Sequence, residues 1–273
     1  MESYTLSCLI MKKNIEFYKA AKVICDAWRN NYTIQEIPLD IRPTSISDGY
    51  KIQNELAEIL GVEVVGRKIA ATSLAGQKHI GVESPLQGLL FREFFLSDGG
   101  VIPCKVLHMA CAEPEFAFLI GDNLDDRGKK YVEEEVIDAT EAMYIALEFP
   151  ETRLSDFINA GPGQLLADNA CAGYFVLGPE VSSWRKKNLS EVKVEGFSDG
   201  KLYSKGSGKD AYGGPLKALT WLANDAAQRG APLRRGEIIT TGTCTAPIPI
   251  FSGVEIEGKF EGLGKVVAYV SEK

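Results

Sequence analysis

Histidine is scarce in this sequence, and its scarcity limits the sites that can be built. The 273 residues include only two histidines, His79 and His108. A zinc or iron site rich in imidazole needs more ligands than these, and a hydrolase of the serine–histidine type would have to use one of the two. If the protein uses a metal ion, we therefore expect oxygen ligands to hold it.

Paired cysteines and a secretory leader are also lacking. None of the six cysteines is spaced as Cys-x-x-Cys from another, which argues against a dithiol redox motif or a zinc knuckle. Near the N-terminus, only a short apolar stretch from Cys8 to Met11 precedes Lys12 and Lys13. A secretory signal instead starts with basic residues and continues into a longer apolar run. We therefore expect reduced thiols and a cytoplasmic location.

Positive charge and long apolar runs are missing as well. Lysine and arginine number 30 against 37 aspartates and glutamates, so the formal net charge is −7. This balance argues against binding to nucleic acid or to an anionic membrane surface, both of which require clustered positive charge. No apolar run approaches the length of a membrane span. Hydrophobic residues at 45% and charged residues at 25% are typical of a folded protein with a sizeable core.

The sequence pattern changes from helical to extended along the chain. Apolar residues at helical spacing predict a helix over residues 14–30, and Ser47 and Gly61 predict the start and the end of a second helix. A third helix is predicted from Pro215 to residue 228 or 229. Short strands are predicted at residues 62–70, 113–120, 143–149, 174–177, 192–197, 201–205, 237–241, 254–260 and 265–270, with a hairpin turn at Asp199-Gly200. Without regular alternation of strands and helices, this pattern predicts an α+β fold.

Two carboxylates stand at the start of an apolar strand. On an extended backbone, residues i and i+2 point to the same side, so Glu113 and Glu115 project together. Glu148 lies near the end of the apolar segment 143–149 and faces away from its hydrophobic side chains. Three carboxylates without a neighbouring imidazole suit a hard cation, Mg²⁺ first and Mn²⁺ or Ca²⁺ next. The pattern by itself is also compatible with an acidic edge strand exposed to solvent. It likewise does not decide whether Lys68 is an ammonium that orients a substrate or an exposed lysine on a strand.

These residues belong to an ordered set of short motifs that resembles one family. The motifs are Gly49-Tyr50-Lys51-Ile52-Gln53, Gly66-Arg67-Lys68-Ile69 with Thr72-Ser73, Gly81-Val82-Glu83-Ser84-Pro85, Glu113-Pro114-Glu115, Glu148-Phe149-Pro150-Glu151-Thr152-Arg153, Ala167-Asp168-Asn169-Ala170, Gly214-Pro215-Leu216 and Gly242-Thr243. In this order they resemble the hydratase/decarboxylase branch of the fumarylacetoacetate hydrolase superfamily.

The resemblance implies a fold and a set of site residues. The fold would be a mixed, rolled β-sheet around a metal site with helices outside, divided into an N-terminal α/β subdomain (residues 1–86) and a β-roll catalytic domain (residues 87–273). Glu113, Glu115 and Glu148 would hold the metal. Lys68 and Glu83 would be catalytic, and a final group would lie at the substrate: Thr72, Ser73 and Cys171.

The resemblance also implies an activity. The leading hypothesis is Mg²⁺-dependent addition of water to a 2-hydroxy-2,4-dienoate, as in the meta-cleavage catabolism of aromatic compounds. The substrate would be a small 2-oxo acid, and the enzyme would be a homo-oligomer. One alternative is decarboxylation of a 2-oxo-3-enedioate, and another is hydrolysis of a carbon–carbon bond in an acylpyruvate. A third is a non-catalytic protein that binds small acids. Cys171 and Ala172 favour this third alternative, because they stand where relatives commonly have two serines.

Overall fold

The computed structural model describes the backbone of residues 2–272 and the side chains of residues 14–272. This part of the chain contains six α-helices. They are α1 (Glu2–Asn30), α2 (Ile46–Leu60), α3 (Leu74–His79), α4 (Glu133–Asp138), α5 (Gly161–Ala167) and α6 (Pro215–Gln228). None of the helices in the described part of the chain is long and apolar enough to span a lipid bilayer.

The strands form two sheets. They are β1 (Val64–Ala70), β2 (Leu86–Phe91), β3 (Phe95–Ser97), β4 (Gly100–Ile102), β5 (Cys111–Ile120), β6 (Thr140–Phe149), β7 (Tyr174–Glu180), β8 (Lys193–Ser198), β9 (Lys201–Ser207), β10 (Ile238–Thr240), β11 (Ile248–Pro249), β12 (Glu255–Phe260) and β13 (Gly264–Val270). The larger sheet has the order β2-β1-β10-β5-β6-β7-β3, with β11 paired to β5, and the smaller has the order β4-β13-β12-β8-β9. Three pairs are parallel, namely β1 with β10, β3 with β7 and β4 with β13, so the fold is mixed α+β as predicted.

The main hydrophobic core lies between the two sheets, and α6 packs into it. Phe116 on β5 and Ile145 on β6 contribute to this core, together with Phe260 of the smaller sheet. The rings of Phe116 and Phe260 meet edge to face, with centroids 5.1 Å apart. Because side chains alternate along a strand, the residues between these core positions on β5 and β6 face the other side of the larger sheet. The acidic residues lie on that other side.

The first two helices confirm most of the sequence prediction and correct one part of it. Residues 14–30 are helical, within a helix that begins at Glu2. The predicted N-cap at Ser47 is wrong. Ser45 has the extended backbone of a cap and accepts a hydrogen bond from the Asp48 N–H, whereas Ser47 already lies inside the first turn. Gly61 ends α2 as predicted, in the left-handed conformation at φ 68°.

The predicted strands are all present, with bounds shifted by a few residues. The sequence analysis missed β2, β3, β4 and β11, and it also missed the short helices α3 and α5. The predicted hairpin turn at Asp199-Gly200 is confirmed, since Ser198 pairs with Lys201. The predicted division at residue 86 stays a prediction; β1 and β2, which meet near it in sequence, pair in one sheet.

The cysteines with described side chains are all free thiols, as predicted: Cys25, Cys104, Cys111, Cys171 and Cys244. Cys8 and the rest of the N-terminal stretch that argued against a secretory signal lie outside the residues with described side chains.

Ser198 occurs in a Gly-x-Ser-x-Gly sequence, but it lies at the end of β8, directly before the hairpin turn into β9. A nucleophilic serine of that motif instead lies between a strand and a helix.

Candidate metal centre and substrate cavity

The pairing of β5 with β6 brings three glutamates together. Glu113 lies directly opposite Glu148 in this antiparallel pair, and Glu115 follows on the same face of β5. One carboxylate oxygen from each of the three lies within 4.8 Å of the others. The structure thus brings together the three residues predicted as metal ligands, and Glu115 and Glu148 are buried rather than on a solvated edge.

Glu148 is the most deeply buried of the three carboxylates. Neither of its oxygens has a hydrogen-bond donor among the described residues, and the Lys68 ammonium, 3.3 Å from Oε1, is its ionic contact there. Burying an ionised carboxylate without partners is costly. A buried carboxylate with one cationic contact, beside two further carboxylates, fits a divalent cation, which prefers charged oxygen ligands.

Glu115 is oriented by two donors, one at the end of β10 and one just after it. Its Oε2 accepts a hydrogen bond from the Thr240 hydroxyl and another, of 2.9 Å, from the Gly242 N–H. Burial raises the pKa of Glu115 to about 7, and the charge of Glu113 adds to this rise against the opposing effect of the two donors. The sequence analysis included Gly242 only as part of a motif and missed Thr240, whose position opposite β5 depends on sheet order.

Burial also raises the pKa of Glu113 and of Glu148. The nearby Lys68 ammonium lowers both values, but it does not offset the loss of solvent. When all three carboxylates are ionised, their negative charge therefore exceeds the positive charge that Lys68 supplies. A bound cation would favour their ionised forms.

Lys68 lies on β1 beside this cluster. Its side chain is 3% exposed, which excludes the alternative of an exposed strand lysine. The Nζ atom lies 3.3 Å from Oε1 of Glu148 and donates a hydrogen bond of 3.2 Å to the Ala170 carbonyl. Burial by itself lowers the pKa of Lys68, but the carboxylates of Glu148 and Glu113 more than reverse this effect, so the ammonium stays charged. Among the described side chains, Glu148 is its only ion-pair partner.

An unusual backbone turn presents the Ala170 carbonyl to Lys68. Asn169, Ala170 and Cys171 all have positive φ angles, of 55°, 50° and 57°. Residues other than glycine pay roughly 1–2 kcal/mol each for this conformation, so the turn needs support. The Asn169 side chain supplies it by accepting from the Leu89 N–H at 2.7 Å and donating to the Leu89 carbonyl at 2.9 Å.

The close approach of β2 to this turn requires glycine at position 88. A Cβ atom on Gly88 would lie 2.4 Å from the Asn169 carbonyl oxygen. The sequence analysis noted Asn169 only within a motif, and it did not predict that its side chain anchors the turn. The left-handed backbone here has only one local sequence signal, Asn169, because glycine is absent from the turn itself.

A cavity of about 790 Å³ opens beside the cluster. Its lining includes five of the predicted site residues, namely Lys68, Thr72, Ser73, Glu113 and Cys171. Burial raises the pKa of the Cys171 thiol to about 12, so this residue presents a neutral group. Glu83 is exposed on the loop after α3 and is not among the lining residues, so the structure does not bring it to the other site residues.

Glu151 and Asp168 support the segment that follows β6. The buried Glu151 carboxylate accepts hydrogen bonds from the N–H groups of His108, Met109 and Thr152, and burial raises its pKa to about 7. Asp168 pairs with Arg153 in the interior. These contacts fix the segment before β5 relative to the end of β6, and the two strands carry the three glutamates.

Comparison with known proteins identifies relatives along most of the chain. Residues 95–271 match a family model described as fumarylacetoacetate hydrolase, C-terminal. The 2-keto-4-pentenoate hydratase of Paraburkholderia xenovorans (strain LB400) is 34% identical over 251 residues, which cover 91% of this chain and 92% of that protein.

Two solved structures are similar in both fold and sequence. Both are of 4-oxalocrotonate decarboxylase from Pseudomonas putida G7, one complexed with magnesium and adipate and the other with calcium and acetate. Each is 30% identical to this chain, and the match covers 93% of this chain and 97% of the other. The TM-scores are 0.85 and 0.84.

Proposed function

The chain belongs to the fumarylacetoacetate hydrolase family, and on that premise we propose that it is a divalent-metal-dependent hydratase that converts a 2-hydroxy-2,4-dienoate into a 4-hydroxy-2-oxo acid. Family membership confirms the resemblance inferred from the motifs. The relatives described above are named as a hydratase and a decarboxylase, so the chain is an enzyme rather than a non-catalytic binding protein.

The metal would be held by Glu113, Glu115 and Glu148. The convergence of three carboxylate oxygens within 4.8 Å of one another, on residues of which Glu115 and Glu148 are buried, is the observation that supports this proposal most strongly. The carboxylate donor set favours Mg²⁺, with Mn²⁺ or Ca²⁺ as substitutes. Bound magnesium and calcium in the two related structures are consistent with this choice. A bound divalent ion would supply Lewis-acid stabilisation of negative charge on the carboxylate and 2-oxygen of the substrate.

Lys68 would add a second positive charge at the same place. Its ammonium lies at the base of the cavity, where Glu148 and the Ala170 carbonyl orient it. Because it stays protonated, Lys68 would act by donating a hydrogen bond to the anionic 2-oxygen and not as a base. A fixed charge aimed at a developing oxyanion stabilises the transition state without reorganisation during the reaction.

The remaining predicted residues would serve binding and proton transfer. The Thr72 and Ser73 side chains line the cavity next to Lys68, where their hydroxyls would bind the polar end of the substrate and Cys171 would pack against its carbon chain. Glu83 is our candidate for transferring the proton of the added water. Since its side chain is exposed and outside the cavity lining, this role requires the loop between α3 and β2 to move toward the cavity.

The experiment that tests the proposal is an absorbance assay of dienoate consumption with and without Mg²⁺. Glu113→Ala and Glu115→Ala should each abolish metal-dependent turnover, and the exposed Glu134→Ala should leave it unchanged. Full activity in both cluster variants would reject the assignment of these residues.

Decarboxylation of a 2-oxo-3-enedioate is a second candidate, favoured by the TM-score of 0.85 with the decarboxylase structure. The same charges would stabilise the dienolate that remains after loss of carbon dioxide. Release of carbon dioxide from 4-oxalocrotonate without hydration of a dienoate would favour this candidate over the first. The homo-oligomeric state and the cytoplasmic location stay predictions, and light scattering on the purified protein would test the first of these.

A further inference from the structure

The cavity is much larger than the proposed reaction requires. At about 30 Å³ for each water-sized group, a volume of about 790 Å³ accommodates many more groups than a pentenoate contains. Lys68 and Glu113 lie on its lining, so the reacting end of a substrate would be placed there. The rest of the cavity is available to groups at the opposite end of the substrate.

One wall of this remaining space is continuous and apolar. It consists of Ile80, Leu86, Phe157, Leu165, Ala170 and Cys171, which pack together as one hydrophobic cluster and also line the cavity. This apolar wall begins beside the reacting end, since the Ala170 carbonyl is the hydrogen-bond partner of Lys68. Leu86 and Leu165 are at most 2% exposed, so the wall is anchored in the interior.

The described lining includes two lysines. Lys68 is buried and paired with Glu148, whereas Lys205 is 66% exposed and its pair with Glu195, at 2.8 Å, is a surface pair that water screens. The His79 ring packs edge-on against Phe157 with centroids 6.2 Å apart. Arginine is absent from the described lining residues. A second carboxylate buried against the apolar wall would therefore find no buried cation other than Lys68 among the described lining residues, and burying an unpaired carboxylate is costly.

We propose that the cavity selects 2-hydroxy-2,4-dienoates with an apolar extension at the end remote from the carboxylate, and that it disfavours substrates with a second carboxylate there. This inference rests on the proposed function for the reacting end of the substrate. The apolar wall would receive an alkyl or aryl tail, and Phe157 would be a specificity-determining residue because its partly buried ring contributes to both the wall and the contact with His79.

Binding of saturated 2-oxo acids tests the inference separately from catalysis. We would measure the Kd of 2-oxopentanoate, 2-oxoheptanoate and 2-oxononanoate by calorimetry with Mg²⁺ present, and compare each with the dicarboxylic 2-oxo acid of equal length. Kd should fall about fourfold for each added CH₂ that is buried, and each dicarboxylic acid should bind at least tenfold more weakly than its monocarboxylic counterpart. Equal affinity along the series, or tighter binding of the dicarboxylic acids, would overturn the inference.

Two variants of Phe157 locate the effect in the wall. Phe157→Ala should weaken binding of 2-oxononanoate more than that of 2-oxopentanoate and so reduce the gain from chain length, and Phe157→Arg should shift preference toward the dicarboxylic acids. Ile158→Ala, at an exposed neighbour outside the cavity lining, is the matched control. Tight dicarboxylate binding that Lys205→Met removes would assign the distal site to Lys205 and contradict the inference. A failure to hydrate any dienoate would reject the proposed function and leave the binding series interpretable.

Discussion

Glu113 on β5 and Glu148 on β6 lie directly opposite each other in an antiparallel pair. Like charges in this position repel each other and destabilise a sheet. The arrangement is compensated on one side by Lys68, whose ammonium lies 3.3 Å from Glu148. The negative charge that Lys68 does not compensate is the reason we expect the site to bind a divalent metal ion and to respond to substitution of its glutamates.

The first prediction concerns metal and stability. Mg²⁺ at about 100 times its Kd should stabilise the folded protein by about 2.7 kcal/mol, which raises the Tm by at least 5 °C or so at this chain length. Glu148→Gln should remove most of this rise. Without metal, the same variant should melt at or below the wild-type Tm, because the buried Lys68 ammonium loses its ion-pair partner. Thermal melts with Mg²⁺ and with EDTA measure both effects, and a full metal-induced rise in Glu148→Gln would contradict the ligand assignment.

The second prediction concerns Lys68. Lys68→Met should lower kcat on a dienoate about 10²-fold, because a charge aimed at the developing oxyanion is lost. The metal-induced rise in Tm should persist, since the three glutamates remain. Steady-state kinetics and melts check the two parts. Lys78→Met, at an exposed position on α3, is the control, and a kcat equal to wild type in Lys68→Met would exclude the electrostatic role.

The third prediction concerns the turn at Asn169. Asn169→Ala should lower the free energy of unfolding by about 1–3 kcal/mol, because both backbone groups of Leu89 lose a buried partner. It should also lower kcat more than it changes KM, since the Ala170 carbonyl no longer orients Lys68. Urea unfolding and kinetics measure these effects, with the exposed Asn159→Ala as the control. A stability loss with unchanged kcat would limit Asn169 to a structural role.

The fourth prediction concerns pH. Burial raises the pKa of Glu151 from 4.5 to about 7, so the folded state binds this proton more tightly than the unfolded state does. The resulting contribution to stability is complete below about pH 4.5 and is lost as the pH rises through about 7. The stability of wild type relative to Glu151→Gln should therefore decline between pH 5 and 8.

Urea unfolding of both proteins in EDTA across this pH range isolates the effect of Glu151, because the other glutamates titrate in both. A difference between the two proteins that is constant with pH, or that increases with pH, would contradict the raised pKa.

Local sequence determined much of the fold and the chemistry of the site. Alternation along 113–120 and 143–149 predicted that carboxylates and core side chains would occupy opposite faces, and this is observed because side-chain direction in a strand repeats every two residues. Gly61 and Asp199-Gly200 predicted a helix end and a hairpin, because few residues adopt left-handed backbone without strain. The scarcity of histidine pointed to oxygen ligands.

Tertiary structure decided how these pieces meet. The register that sets Glu113 against Glu148, the approach of Lys68 to both and the left-handed turn at Asn169 depend on contacts between segments distant in the chain. The same is true of Glu83, whose motif belongs to the same ordered set as those of the site residues but which is exposed outside the cavity. Sequence periodicity specifies which face a side chain occupies; strand order and register, which come from packing the whole core, specify its neighbours.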